Sequence, residues 1–188
     1  MLTLDVGDPP ETWSELGFAV DGDVCRIGDV THRLGADGRG VRAWSLGVVD
    51  GLRTTNAAGD AAVTEHANGV VALDHLVVST PDMDRTVAAL EAAGFELRRT
   101  REAGPIRQAF FKVGDVILEL AGPAAASGDG PARFWGLAFT VADLDATASY
   151  LGDRLRPAKD AVQPGRRIAT LDKSAGSTVA IAFMSPEP

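Results

Sequence analysis

The segment LDHLVVST, residues 73–80, is almost continuously apolar, a pattern typical of a buried β-strand. Apolar residues then recur at helical spacing across residues 81–94, where the stripe is formed by Met83, Val87 and Leu90. Thr80 or Asp82 can cap the start of this helix with a side-chain oxygen. The segment therefore predicts a strand followed by an amphipathic helix.

Two strand-like segments follow the helix, FELRRT and IRQAFFKV, and a Gly114-Asp115 turn leads from the second into VILELAG. The spacing and the turn residues predict a tight hairpin. Counting outward from the turn pairs Phe110 with Glu119 and Gln108 with Ala121. One face of the hairpin then carries a mixed set of side chains: Gln108, Phe110, Lys112, Ile117 and Glu119. The other face is uniformly apolar, so we expect it to pack beneath the helix while the mixed face lines a cavity.

The βαβββ order of this segment occurs again in residues 133–185, through WGLAFTV, ADLDATASYLGDRL, RRIATLD and STVAIAFMS. The amino-terminal segments LTLDV, PPETWSELG, FAVDGD and VCRIGDVTHRLG follow the same order in degenerate form, and RAWSLGVVDGL then resembles RFWGLAFTVADL. The repeats predict an α+β fold of paired βαβββ modules with an extra amino-terminal βαββ(β) module. The predicted parts are a degenerate module over 1–55, a polar connector over 56–71, and a domain over 72–188 with modules at 72–122 and 133–185.

Composition and charge narrow the classes of function. With 188 residues, 45% apolar and 23% charged, the chain has the composition of a soluble globular protein. The formal net charge is -8 and the basic residues form no extended patch, so we expect no nucleic-acid partner. No apolar run approaches the roughly 20 residues of a membrane helix, and MLTLDVGDPP lacks the regions of a signal peptide. The single cysteine, Cys25, cannot form an intrachain disulfide, and these features together predict a cytoplasmic protein without a membrane partner.

The paired modules, with a histidine in the first strand of one module and ILEL in its fourth strand, resemble the vicinal oxygen chelate superfamily. This is also called the glyoxalase/bleomycin resistance/dioxygenase superfamily. The resemblance covers residues 72–185 well and residues 1–52 weakly. It implies a half-barrel of curved sheet around a cavity, in which a divalent metal chelates vicinal oxygens of the substrate.

The metal site that the resemblance implies is only half present. His75 matches the first-strand ligand and Glu119 matches the fourth-strand ligand of the first module. The second module has Gly136 and Ala182 at the corresponding positions, and neither residue can bind a metal through its side chain.

His75 and Glu119 therefore have two interpretations. As metal ligands they fall short of the three protein ligands that catalytic zinc and non-heme iron usually keep, and His32 and His66 lie outside the family's ligand positions. His32 aligns with Leu118 and should face the helix. As a polar pair, His75 and Glu119 form a candidate acid/base pair or an anchor for a ligand, because a buried carboxylate needs a donor. The second interpretation predicts no cofactor, whereas the first predicts one divalent ion such as Zn, Ni, Mn or Fe.

Three further residues are candidates for ligand binding. Arg166 and Arg167 are adjacent in QPGRRIATL, so on a strand one of them faces the cavity, where a guanidinium can clamp a carboxylate or phosphate; alternatively, both are solvated. Trp135 is a candidate for stacking on a ligand or for packing at a module interface. Gly136 beside it is expected to leave room in the cavity. The predicted ligand-binding set is completed by His75, Gln108, Phe110 and Glu119.

The sequence contains no phosphate loop and no serine-nucleophile elbow. The preferred prediction is a glyoxalase-like small-molecule-binding protein with an incomplete metal site, whose cavity binds a polar organic ligand. The alternative is a metal-dependent lyase, isomerase or dioxygenase of the vicinal oxygen chelate type that uses His75 and Glu119. A homodimer formed through the degenerate module is a further hypothesis, which light scattering can test.

Overall fold

The structure is a computed structural model that describes residues 1–58 and 65–188. The amino-terminal part contains β1 (Leu2–Val6), α1 (Pro10–Glu15), β2 (Val24–Ile27), β3 (Val30–Arg33) and β4 (Val41–Trp44). The next part contains β5 (Val70–Ser79), α2 (Met83–Ala92), β6 (Leu97–Ala103), β7 (Ile106–Val113) and β8 (Val116–Pro123). The last part contains β9 (Arg133–Val141), α3 (Leu144–Leu151), β10 (Lys159–Asp160), β11 (Arg167–Thr170) and β12 (Ala180–Met184).

Eight strands form one sheet in the order β10-β11-β12-β9-β5-β8-β7-β6. The first strands of the two modules, β5 and β9, pair antiparallel at its centre, and each pairs in parallel with the last strand of its own module. The helices of the two modules each begin at an aspartate whose side chain accepts a backbone hydrogen bond, Asp82 in α2 and Asp143 in α3. The α+β fold of paired βαβββ modules is confirmed.

The register predicted for the β7–β8 hairpin is confirmed. Phe110 pairs with Glu119 and Gln108 pairs with Ala121, around the Gly114-Asp115 turn. On the apolar face, Phe111 is fully buried. The hydrophobic effect therefore fixes which face of this hairpin remains available to a cavity.

The amino-terminal part forms a separate four-stranded sheet in the order β2-β3-β1-β4. The β2–β3 hairpin pairs Cys25 with His32, which repeats the pairing of Phe111 with Leu118 around the same Gly-Asp turn. β4 pairs antiparallel with β1, as β9 does with β5. The predicted strand FAVDGD does not form, because apart from an isolated bridge between Asp21 and Val24 this segment is irregular.

This second sheet and α1 pack on the face of the large sheet that carries the helices. Phe139 and Phe183 point to that face and are fully buried against Trp13 and Phe18. His32 lies on the same side, 5.8 Å from Phe139 between ring centroids, so its predicted facing is confirmed. The amino-terminal module and the paired modules thus share one hydrophobic core.

The predicted connector lies partly outside the described residues, which omit 59–64. Its end is fixed to the amino-terminal module, because His66 Nδ1 accepts from Ala19 N at 2.9 Å in the segment between α1 and β2. β5 then begins at Val70, before the predicted module boundary at residue 72. Within the described residues, no helix has the length and apolar character needed to cross a membrane.

Candidate functional site

A cavity of about 800 Å³ lies on the face of the large sheet that carries no helices. Its floor is made mainly of small residues from the central strands, with His75 as the buried polar group: His75, Val77, Gly136, Ala138 and Ala182. The structure brings five of the seven predicted ligand-binding residues to this cavity: His75, Gln108, Phe110, Glu119 and Trp135. Arg166 and Arg167 do not line it.

Glu119 is held by a neighbour on the next strand. Gln108 Nε2 donates to Glu119 Oε1 at 2.5 Å, and Phe110, which pairs with Glu119 across the hairpin, lines the cavity beside them. The ring of His75 meets Phe110 edge to face, with 6.5 Å between the centroids. Among the described residues His75 and Glu119 form no hydrogen bond with each other, and the donor to Glu119 is the Gln108 amide, so the acid/base pair stays a prediction about two groups that line one cavity.

His75 faces the cavity beside a β-bulge in β5. Asp74 is the extra residue of that bulge, since Leu73 pairs with Phe139 and His75 pairs with Ala138, the next residue of β9. A bulge turns two successive side chains toward one side of a strand. His75 Nδ1 consequently lies 2.8 Å from Asp74 Oδ1, although the N–H is not aligned with that oxygen as in a directed hydrogen bond. This contact leaves Nε2 as the ring atom available to the cavity.

Arg166 lies with Asp74 and His75 in a buried polar cluster and not on the cavity wall. It is 4% exposed, forms an ion pair with Asp74, and donates from Nε to the Ser185 carbonyl at 2.9 Å. Thr140 Oγ1 also donates to Asp74 Oδ2, at 2.7 Å. Burial alone would raise the pKa of Asp74, but the contacts from His75, Arg166 and Thr140 lower that pKa well below its ordinary value.

Arg167 lies on the opposite side of its strand, where it forms an ion pair with Asp145 of α3 at 3.0 Å. Neither arginine lines the cavity, so the prediction that one of them clamps a ligand there is wrong. Each guanidinium is drawn to a carboxylate of the protein: a buried one for Arg166 and an exposed one for Arg167.

The second half of the superfamily's donor set is absent. In the first module Val77 pairs with Glu119, and in the second module Ala138 pairs with Ala182, so the two fourth-strand positions are equivalent. Gly136 lines the cavity, but a Cβ atom there would lie 2.6 Å from the Ala180 carbonyl oxygen. Gly136 therefore permits close approach of β9 and β12, and the room expected at this position is not open to a side chain.

The side chains present do not fit the four-donor metal site of the superfamily. Among residues 1–58 and 65–188, no group of three histidine, cysteine, aspartate or glutamate side chains is placed to hold a metal ion. His32 and His66 lie elsewhere: His32 is buried under the sheet, and His66 Nε2 meets the Arg26 carbonyl at 3.1 Å.

Trp135 marks the mouth of the cavity. It is the extra residue of a bulge in β9, since Val77 pairs with Gly136 and Val78 pairs with Phe134. Its side chain is 64% exposed and lines the cavity. Of the two interpretations of Trp135, this position favours contact with a ligand over packing at a module interface.

The predicted set missed the basic residues at the rim. In the described part of the chain, six basic side chains line the cavity: Arg39, Arg99, Arg101, Arg156, Lys159 and Lys173. Counting outward from the Gly104-Pro105 turn would have found two of them, because Arg101 pairs with Gln108 and Arg99 with Phe110. Arg39 lies in a loop of the amino-terminal module, where no strand pairing in the sequence predicts which side chains face the cavity.

A curved sheet of two βαβββ modules, joined at their first strands around a cavity, defines the vicinal oxygen chelate class of fold. The family model for the Glyoxalase/Bleomycin resistance protein/Dioxygenase superfamily matches residues 72–170, and the chain belongs to this superfamily. No curated protein matches the chain.

Solved structures of methylmalonyl-CoA epimerases are similar to the paired modules. The enzyme from Mycobacterium tuberculosis has a TM-score of 0.53 and 24% identity, over 64% of this chain and 91% of that one. The Streptomyces coelicolor enzyme in complex with 2-nitronate-propionyl-CoA has a TM-score of 0.52 and 25% identity, over 63% of this chain and 99% of that one. These neighbours bear out the fold, and the second one holds an organic ligand.

Proposed function

We propose that the chain binds a polar organic ligand in this cavity without the four-donor metal site of its superfamily. The observation that carries the proposal is the matched register of the two modules. The positions equivalent to His75 and Glu119 are Gly136 and Ala182, which have no donor atoms in their side chains.

The shape and composition of the cavity support ligand binding. A volume of about 800 Å³ falls within the range of roughly 300–1,000 Å³ that is common for organic ligands. Small residues on the floor leave the volume free, while Phe110 and Trp135 offer ring surfaces on the wall and at the mouth. The S. coelicolor neighbour carries a CoA-linked ligand, which is in keeping with a ligand of this general kind.

Two polar groups that line the cavity, Glu119 and His75, are held in place before a ligand binds. Gln108 fixes Glu119, and Asp74 lies against one nitrogen of His75, so neither group is free to reorient at low cost. Among the described residues, His75 Nε2 has no hydrogen-bond partner, and it can accept from or donate to a ligand. A few fixed polar groups in an otherwise apolar floor supply orientation and specificity.

Metal content tests the first half of the proposal. The protein is purified without a metal-affinity step, in medium that supplies Zn, Ni, Mn and Fe, and is analysed by elemental mass spectrometry together with His75→Ala and Glu119→Ala. We expect no stoichiometric metal in any of the three proteins. A stoichiometric metal that disappears in both variants would overturn the proposal and favour the metal-dependent lyase, isomerase or dioxygenase.

Ligand-induced stabilisation tests the second half. A panel of neutral and charged metabolites is screened by thermal unfolding against the wild type, against Ala182→Phe, which narrows the cavity, and against Ala92→Phe on the exposed face of α2. Binding to the native state raises the melting temperature. We expect ligands that stabilise the wild type and Ala92→Phe but not Ala182→Phe. A panel without any stabilising compound, or equal stabilisation of Ala182→Phe, counts against a ligand in this cavity.

A further inference from the structure

We propose that the ligand is an organic anion, held by basic side chains that the two opposite edges of the curved sheet bring to the cavity mouth. This inference rests on the proposed function, since it names the chemical class of the ligand in the same cavity.

The charge of the cavity is opposite in sign to that of the chain. The chain has a formal net charge of -8, yet among residues 1–58 and 65–188 six basic and three acidic side chains line the cavity. The charges of Arg156 and Asp172 neutralise each other, because these two side chains form an ion pair at 3.2 Å. The acids that remain in the lining are Glu119, which Gln108 holds, and Asp160. An excess of positive charge in a concave site attracts and retains anions.

The topology explains how the basic groups meet. β6 and β10 are the outermost strands of the eight-stranded sheet, at opposite ends of its strand order. Arg99 and Arg101 lie in β6 and Lys159 lies in β10, and all three line the same cavity. The curvature of the sheet must therefore bring its two edges to opposite sides of the mouth. A ligand that reaches both edges meets positive charge on each side.

Most of these basic side chains have no carboxylate partner among the described residues. Within the part of the chain that the structure describes, Arg39, Arg99, Arg101 and Lys159 form no salt bridge, whereas Arg85, Arg98, Arg107 and Arg167 outside the cavity each form one. Arg99 is also oriented by the cavity wall, because its guanidinium carbon lies 4.9 Å from the centroid of the Phe110 ring. Its charge is thus positioned over the cavity before binding.

The amino-terminal module contributes to the rim through Arg39. The loop that carries it is fixed to the segment before β12, since Gly40 N donates to Thr178 Oγ1 at 2.7 Å. Buried Asp8 accepts from Thr178 N at 2.7 Å and from Ser177 Oγ at 2.6 Å. Close packing of Gly7 on this loop, where a Cβ atom would lie 2.3 Å from the Gly38 carbonyl oxygen, supports the same placement. The degenerate module thus adds a cation to a cavity built by the other two.

Calorimetric titration with matched probes tests the inference. Coenzyme A supplies phosphate groups, succinate supplies carboxylates, and pantetheine is the neutral fragment of coenzyme A. We expect at least one of the two anions to bind about tenfold or more tightly than pantetheine in 50 mM NaCl, and its advantage to shrink in 500 mM NaCl, where screening is stronger. Preference for coenzyme A points to phosphate recognition, and preference for succinate points to carboxylate recognition.

Charge reversal in β6 locates the site. Arg101 lines the cavity, and its variant is Arg101→Glu. The matched control is Arg98→Glu, because Arg98 lies on the same strand outside the cavity and pairs with Glu96. We expect Arg101→Glu to weaken binding of the preferred anion about tenfold and Arg98→Glu to change it less than about twofold. Arg39→Glu should act like Arg101→Glu, which ties the amino-terminal module to the site. Because all three side chains are at least partly exposed, the variants should fold.

Two results would overturn the inference. The first is pantetheine binding as tightly as both anions, and the second is equal effects of Arg101→Glu and Arg98→Glu. Either result leaves the proposed function intact if neutral compounds still stabilise the wild type and fail to stabilise Ala182→Phe. If no probe and no panel compound binds, the inference and the proposed function fail together.

Discussion

Replacement of Asp74 by asparagine tests the buried group behind the cavity floor. Asp74 is the ion-pair partner of Arg166, which is 4% exposed. Removing one partner of a buried ion pair costs about 3–5 kcal/mol, because the remaining charge stays buried without compensation. Arg166 would keep the Ser185 carbonyl and the Thr140 hydroxyl as neutral acceptors. We therefore expect a loss near the low end, about 3 kcal/mol in the free energy of unfolding.

The matched control is Asp145→Asn, which breaks the ion pair of the adjacent arginine. In that pair the side chains of Arg167 and Asp145 are 46% and 76% exposed, and exposed ion pairs contribute roughly 0.2–1 kcal/mol. Urea denaturation at pH 7 measures both variants against the wild type. A loss for Asp74→Asn that equals the loss for Asp145→Asn would refute the reasoning. The double variant Asp74→Asn with Arg166→Met should recover part of the stability, because it removes the uncompensated charge.

The pH dependence of the same variant provides a second check. The pKa of Asp74 is lowered in the folded protein, so its contribution to stability is fully present above the ordinary carboxyl pKa of about 3.9. That contribution is lost as the pH falls from there toward the lower folded pKa. The difference between the wild type and Asp74→Asn should accordingly narrow in urea titrations below about pH 4. A difference that stays constant from pH 7 to pH 3 would contradict the assignment.

Three further predictions concern groups outside the cavity. Burial lowers the pKa of His32 to about 3, so below roughly pH 6.5 the unfolded state binds a proton that the native state does not, and the free energy of unfolding should fall by up to about 1.4 kcal/mol per pH unit. His32→Leu should flatten this pH dependence in urea titrations, and an unchanged pH dependence would contradict a buried neutral His32. Burial raises the pKa of Cys25 to about 12, so a disulfide reagent at pH 8 should modify the thiol slowly in the native protein and rapidly in urea. Fast modification of the native protein would be inconsistent with the buried position of Cys25. Asp82→Ala removes the helix cap, whose carboxylate accepts from Arg85 N at 3.1 Å, and should lower the free energy of unfolding in urea by about 1 kcal/mol. An unchanged free energy of unfolding would mean that the cap does not stabilise α2.

The fold was predictable because local pattern and repetition agreed. The Gly114-Asp115 turn fixed the register of the β7–β8 hairpin, and one residue of slip would have moved Phe111 from the core to the cavity. The degenerate module was harder to predict. FAVDGD has the alternation of a strand but lies in a segment that makes only an isolated bridge, so among the described residues no strand lies beside β2 in the way that β6 lies beside β7.

The site was only partly predictable, because bulges and ion pairs override simple alternation. Alternation correctly directed Gln108, Phe110 and Glu119 to the cavity. It could not show that a bulge turns Asp74 toward His75, or that Asp74 then draws Arg166 into the interior. The charges of residues far apart in sequence determine such pairs, and they become visible only when the sheet is assembled.

The most direct test of the central claim is a calorimetric titration of the preferred anion, coenzyme A or succinate, into protein treated with a chelator, repeated after addition of one equivalent of Zn, Ni, Mn or Fe. We expect the wild type to bind the anion in the chelated state, added metal to leave the affinity unchanged, and Ala182→Phe to abolish binding. Binding that requires an added metal, or that persists in Ala182→Phe, would contradict a ligand held in this cavity by side chains alone.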